Sequence, residues 1–157
     1  MSAGNGGCVP DAVHASRNCD PVNVIFPGKT WTQARDALLA KGWSTCCFGS
    51  TEYLHVGAST TLVPQNTQLF RGDGFSKRYH VSLWQTPGPN TVAGVHHESG
   101  IFSHTIDRAW DSAEAFLVGP FCGSLCVKTS LPQQAQIQGS GNLWRGWGND
   151  KYATVVP

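Results

Sequence analysis

Between Arg78 and Glu98 the chain reads RYHVSLW, then QTPGPN, then TVAGVHHE. In the first segment Arg78, His80, Ser82 and Trp84 fall on one side of a strand, and Tyr79, Val81 and Leu83 on the other. The Pro- and Gly-bearing connection suits a hairpin turn. A polar row recurring every second residue beside an apolar row describes a sheet with chemistry on one face and a core on the other. Four of the six histidines, His80, His96, His97 and His104, lie in or just after this stretch, so function is sought here first.

At 157 residues the chain is long enough for one domain with a real core. Apolar residues make up 40% and charged residues only 13%, which excludes an intrinsically disordered chain. Net charge is +1 with no basic run, so neither nucleic acid nor an anionic membrane is expected as a partner. No stretch approaches the ~20 apolar residues of a membrane span. The opening MSAGNGGCVPDAV has no basic stretch followed by an apolar one, so no cleaved leader is expected.

Six cysteines, Cys8, Cys19, Cys46, Cys47, Cys122 and Cys126, form an even set. Disulfides are the favoured expectation, with Cys8 and Cys19 closing a loop over the N-terminal arm and Cys46 or Cys47 reaching FCGSLC. Free thiols and a zinc site are the alternatives; no CxxC pair is present. Oxidised cysteines would place the chain in an extracellular or virion assembly, reduced ones in the cytoplasm.

Residues 1–20 read as an irregular arm and 21–157 as a single domain. PVNVIF, residues 21–26, is a short strand ended by Pro27-Gly28. Thr30 caps a helix in which Trp31, Ala34, Leu38 and Leu39 form one stripe, stopping at Gly42. TEYLHV, TQLF, the two hairpin arms, CVKTSL and the closing YATVV are further strands. Ser103 or Thr105 leads into a second helix marked by Ile106, Trp110, Ala113 and Leu117. Two helices beside so many strands predict an α+β domain: a mixed or antiparallel sheet of about five or six strands with both helices on one face.

The order of these motifs is familiar: DPVNVIF, a helix ending KGW, the strand R-x-H-x-x-L-W, VAGVHHE, HTID before an acidic helix, and the closing GNDKYAT. Over residues 20–156 the chain resembles the LssY C-terminal domain, a family often attached to bacterial membrane proteins with lipid-phosphatase-type segments. It departs from that pattern in lacking the membrane portion, in carrying the cysteines, and in having no Asp-Gly after YAT. The resemblance implies a free-standing, soluble version of the fold. It places Arg78, His80, Trp84, His104, Asp107, Asp150 and Tyr152 at family-typical positions without assigning a reaction.

Two function classes compete. A self-associating binding or assembly subunit is favoured, with Trp84, Trp144, Trp147 and Tyr152 as interface candidates and no cofactor. The alternative is a small hydrolase of phosphoesterase type, with His80 as acid or base, Arg78 holding an anion, and His104 oriented by Asp107. His-Val-Ser at 80–82 matches one half of the two-histidine phosphoesterase pattern, but His104-Thr105-Ile106 does not supply the second. In the bland reading Arg78 and His80 are a hydrogen-bonded polar row and Asp107 caps the second helix. A metal is not expected. His96, His97, Glu98 and His104 are near in sequence and as imidazoles with a carboxylate suit zinc or iron, but His96 and His97 point to opposite faces, so at most one could join His104; His97 with His104 is the weak candidate set.

Overall fold

The structure is a computed structural model that describes residues 19–45, 53–55, 62–100, 105–130, 136–138, 150 and 152–157. Its elements in chain order are β1 (Cys19–Pro21), β2 (Val24–Phe26), α1 (Trp31–Leu39), β3 (Tyr53–His55), β4 (Leu62–Pro64), β5 (Thr67–Gly72), β6 (Lys77–Gln85) and β7 (Thr91–Ser99). They continue with β8 (Thr105–Ile106), α2 (Trp110–Val118), β9 (Val127–Ser130), β10 (Gln136–Gln138) and β11 (Tyr152–Val155). The larger sheet runs β5-β6-β7-β2-β11-β9, with β8 added to β7. β11 and β2 are parallel and the other pairs antiparallel, so the sheet is mixed. A smaller antiparallel sheet runs β1-β10-β3-β4. The α+β class expected from the sequence holds. No helix among the described residues is long and apolar enough to cross a membrane.

Alternation in the hairpin decides where the core lies. Tyr79, Val81 and Leu83 of β6 join Ala93 and Val95 of β7, Leu69 of β5, and Val24 and Phe26 of β2 in one apolar cluster. Ala34 and Leu38 of α1 and Ala113, Leu117 and Val118 of α2 complete it, so both helices cover the same face. Burying a side chain such as Leu38 or Leu83 contributes roughly 1.5–3 kcal/mol. A second cluster, Val22, Leu54 and Trp84 with Val92 against it, forms on the far face where the small sheet meets β6. The Trp84 indole donates to the Val63 carbonyl at 3.0 Å. Trp84, expected at an interface, is therefore a fully buried core residue: its apolar ring and single donor are both satisfied internally.

Local chemistry explains the element ends. Thr30 accepts from the Gln33 N–H and the Gln33 side chain accepts from the Thr30 N–H, a reciprocal cap that starts α1 where the sequence placed it. Gly28 turns the chain after β2 with φ +68°, a conformation closed to most side chains. The strand expected over 21–26 is divided between β1 and β2; Asn23, between them, donates its N–H to the Ala93 carbonyl and accepts from the Thr154 N–H, and its side chain adds two further bonds to β7. Asn23 Nδ2 donates to the Val95 carbonyl and Asn23 Oδ1 accepts from the Val95 N–H, each at 2.9 Å.

The second helix begins later than expected, at Trp110 after Ala109, with no side-chain cap. Thr105 and Ile106 instead pair with β7 as β8, and Asp107 bonds His97 rather than capping. Cys122 and Cys126 form a disulfide across a 3-10 turn, Gly123–Leu125. That pairing corrects the expectation that FCGSLC is reached from Cys46 or Cys47, and it leaves neither sulfur for zinc. Cys8, Cys46, Cys47 and the side chain of Cys19 lie outside the described residues, as do His104, Trp144 and Trp147.

Candidate functional site

The register of β6 and β7 sets His80 opposite His96, Arg78 opposite Glu98, and Tyr79 opposite His97. Opposed residues share a face. Arg78, His80, His96 and Glu98 thus converge on the face away from the helices, while Tyr79 and His97 point toward them. Asn23 holds β7 at Val95, immediately before this group, so the pairing is fixed from both flanks.

On the far face the three inner groups are almost fully buried: His80 is 3% exposed, His96 2% and Glu98 1%. His80 Nδ1 lies 3.2 Å from His96 Nε2. The Glu98 carboxylate lies 3.8 Å from His80 Nδ1 and 3.6 Å from His96 Nε2. The remaining His80 nitrogen, Nε2, is 2.9 Å from Gln68 Oε1. An amide oxygen only accepts, so His80 Nε2–H donates to Gln68, and Nδ1 faces His96 and Glu98. Phe70 stacks on the His80 ring at 4.5 Å, and Trp110 meets the His96 ring edge-on at 6.2 Å.

Arg78 completes the row. Its Nε donates to Glu98 Oε1 at 3.0 Å and its Nη1 to the Gly100 carbonyl at 2.8 Å. Partial burial lowers the Arg78 pKa from its usual value, the desolvation of a charged group near a low-dielectric wall. Two further buried groups belong to this neighbourhood: Ser82 Oγ, two residues along β6 from His80, and Trp110 Nε1. Neither has a hydrogen-bond partner among the described residues.

The helix side of β7 carries a different network. His97 is wholly buried, with Nδ1 bonded to Asp107 and Nε2 2.9 Å from Asp73. Arg108 links Asp73 at 3.0 Å to the Tyr79 hydroxyl at 2.8 Å. Both His97 nitrogens face carboxylates, Asp107 and Asp73, so the ring is held from both sides. Asp107, expected to orient His104, serves His97, which leaves the expected His97–His104 metal pair without its first member.

A third cluster joins Asp111 and Glu114 of α2 to Asp150. Lys128 is its counter-ion, 2.5 Å from Asp150 and 3.7 Å from Glu114. Thr154 donates to Glu114 Oε2 at 2.5 Å. Burial pushes the Glu114 pKa up to about 7, against the lowering by Thr154 and Lys128. The hydrogen bond to Asp150 raises the Lys128 pKa. Tyr152, an interface candidate, is half exposed on β11.

His96 and Glu98 were considered in the sequence only as neighbours of His104, and His80 was not joined to them, although the signal was there. Centring the hairpin on Gly88 of QTPGPN pairs His80 with His96 and Arg78 with Glu98. Adjacency of His96 and His97 drew attention to His104, whereas strand parity and register bring His80 across instead. In comparisons with protein-family models, curated proteins and solved structures, none matches this chain.

Proposed function

We propose that this domain binds one divalent transition-metal ion through His80 Nδ1, His96 Nε2 and the carboxylate of Glu98. The observation that carries the reading is the convergence of these donors, all within 4.8 Å of one another and all buried. Metal–nitrogen and metal–oxygen bonds of about 2.0–2.1 Å in tetrahedral array put ligand atoms about 3.3 Å apart. The His80–His96 separation of 3.2 Å matches that value, and the carboxylate oxygens, Oε1 at 3.8 Å from His80 Nδ1 and Oε2 at 3.6 Å from His96 Nε2, lie a few tenths of an ångström beyond it. Two imidazoles with one carboxylate suit zinc, iron(II), cobalt(II) or nickel(II) over calcium or magnesium.

Outer groups support the same reading. Gln68 fixes the His80 tautomer and Arg78 orients Glu98, the roles that second-rank partners play around metal ligands. The test is titration of metal-free protein with Co2+, followed by its visible absorption and by calorimetry. One equivalent binding at micromolar concentration or tighter, displaced by Zn2+ and lost in His80→Ala, is the expected result. Binding that is weaker than millimolar, or unchanged in His80→Ala, would overturn the proposal.

Self-association is a second proposal. It is supported by Leu125, 86% exposed at the end of the 3-10 turn, and Val127, 67% exposed as the first residue of β9, the last strand on that side of the larger sheet among the described residues. Native mass with and without a reductant tests it. The relationship to LssY C-terminal domains is likewise a proposal, supported by the motif order of the sequence.

A further inference from the structure

The cluster of Asp111, Glu114 and Asp150 shares no residue with the transition-metal site proposed above. Asp111 and Glu114, three apart on α2, share a helix face, and Asp150 comes beside them just before β11. One carboxylate oxygen from each lies within 4.8 Å of the other two. Hydrogen bonds to the backbone fix the arrangement. The Asp150 N–H donates to Asp111 Oδ1 at 3.1 Å, and Asp150 Oδ1 accepts from the Tyr152 N–H at 2.9 Å.

Grouped carboxylates alone say nothing of a ligand; Glu114 is what sets this group apart. It is 1% exposed. Its Oε2 takes the Thr154 hydroxyl at 2.5 Å, while Oε1 is buried without a hydrogen-bond partner among the described residues. The charged groups around it are Lys128, Asp150 and Asp111. Lys128 Nζ is committed to Asp150 at 2.5 Å, and at 3.7 Å from Glu114 it is beyond hydrogen-bond reach. One ammonium thus stands against three carboxylates, and the most buried of them keeps a bare oxygen. A cation answers such an oxygen directly.

We propose that Asp111, Glu114 and Asp150 bind one Ca2+ ion, with Lys128 as the cation it displaces. Donors that are all oxygen select a hard cation, and size then chooses among them. Ca2+ holds oxygens at about 2.3–2.6 Å, so two of its ligands stand up to about 5 Å apart. Mg2+, at about 2.0–2.1 Å, limits them to about 4 Å. A cluster spread over as much as 4.8 Å is within the reach of Ca2+ as it stands. The Lys128 side chain is 44% exposed, so its ammonium can turn to solvent while β9 stays paired with β11. Ca2+ and the ammonium beside it together equal the three carboxylates in charge.

The experiment uses the full chain, stripped with a chelator and titrated calorimetrically with Ca2+ and, in a parallel run, Mg2+. It is done at pH 8, above the value of about 7 to which burial raises Glu114. One equivalent of Ca2+ with Kd of about 1 mM or tighter is expected, with Mg2+ about tenfold weaker or more. Asp111→Asn and Asp150→Asn each keep the Oδ1 acceptor and remove a charge; each should weaken Ca2+ about tenfold or more. Lys128→Gln removes the competing cation and should tighten Ca2+ about threefold or more. His80→Ala should bind Ca2+ as wild type does, so this site and the histidine site are read separately.

Should an Asn variant fold poorly, Lys128→Gln carries the test, since a purely structural ion pair predicts no gain in Ca2+ affinity. Binding weaker than about 1 mM in both wild type and Lys128→Gln would overturn the proposal. So would equal affinity in wild type and both Asn variants, or Mg2+ binding as tightly as Ca2+. Loss of Ca2+ in His80→Ala would place the ion at the histidine face and overturn it too. None of these outcomes bears on Co2+ binding by His80, His96 and Glu98.

Discussion

His96 and His97 are neighbours on β7, equally buried, and serve opposite ends. His97 faces the helices, and both of its nitrogens meet carboxylates, Asp107 from the segment after β8 and Asp73 from the turn between β5 and β6. It ties two loops to one strand. His96 faces away and meets another imidazole and a carboxylate whose charge is already answered by Arg78. The difference teaches that burial of a histidine says little by itself. What decides between a clamp and a ligand is whether the surrounding groups accept protons from the ring or share with it a common point for lone pairs.

The sharpest way to break this comparison is to remove each ring in turn. His96→Ala should lower metal affinity about a hundredfold or more, since loss of a ligand exceeds the ten- to hundredfold cost of losing an outer partner. It should change the stability of the metal-free protein less than His97→Ala does. His97→Ala leaves Asp73 and Asp107 facing a cavity and should cost about 2 kcal/mol or more in urea unfolding, with metal affinity nearly unchanged. Equal losses of metal in both variants would show that the two networks are one.

The two buried glutamates extend the contrast. Glu98 has a guanidinium at 3.0 Å, whereas among the described residues Glu114 has a threonine hydroxyl and an ammonium at 3.7 Å. The folded protein holds the Glu114 proton up to about pH 7, and an ordinary glutamate releases it near 4.5. Between those values the folded state binds more protons than the unfolded chain. Stability contributed by Glu114 is therefore full below about 4.5, falls as pH rises, and is spent above about 7. The total is up to about 3 kcal/mol. Glu114→Gln should flatten that slope and raise the urea midpoint at pH 8. An unchanged slope would mean that Lys128 neutralises Glu114 after all.

A smaller effect tests the His80 tautomer. Gln68→Leu removes the acceptor of the Nε2 proton while keeping bulk, and should weaken Co2+ binding by about ten- to hundredfold without changing its stoichiometry. Affinity equal to wild type would show that the ring needs no orientation from β5.

Much of this was legible beforehand for definable reasons. The hairpin, its polar and apolar faces, the capped first helix and the α+β class follow from period-two alternation, Pro-Gly turn chemistry and the Thr30–Gln33 cap, all of which act within a few residues. The late start of α2 was not legible, because Thr105 and Ile106 satisfy a strand neighbour on β7 in preference to local helical bonds. Nor was the core role of Trp84, which depends on Val63 and Leu54 arriving from the small sheet. The Cys122–Cys126 bridge is local in sequence, yet its competitors could be ranked only once the turn after α2 was in place.

By itself, then, the sequence determined which side chains share a face, since backbone geometry alternates them whatever they touch. It determined that Arg78, His80 and Ser82 would stand apart from Tyr79, Val81 and Leu83. Only the tertiary structure decided which of the histidines would meet. That choice rests on cross-strand register, on Asn23 pinning β7 from β2, and on the loops that deliver Asp73 and Asp107 to His97. These contacts join residues far apart in the chain, and their free energy exists only when the whole sheet is assembled.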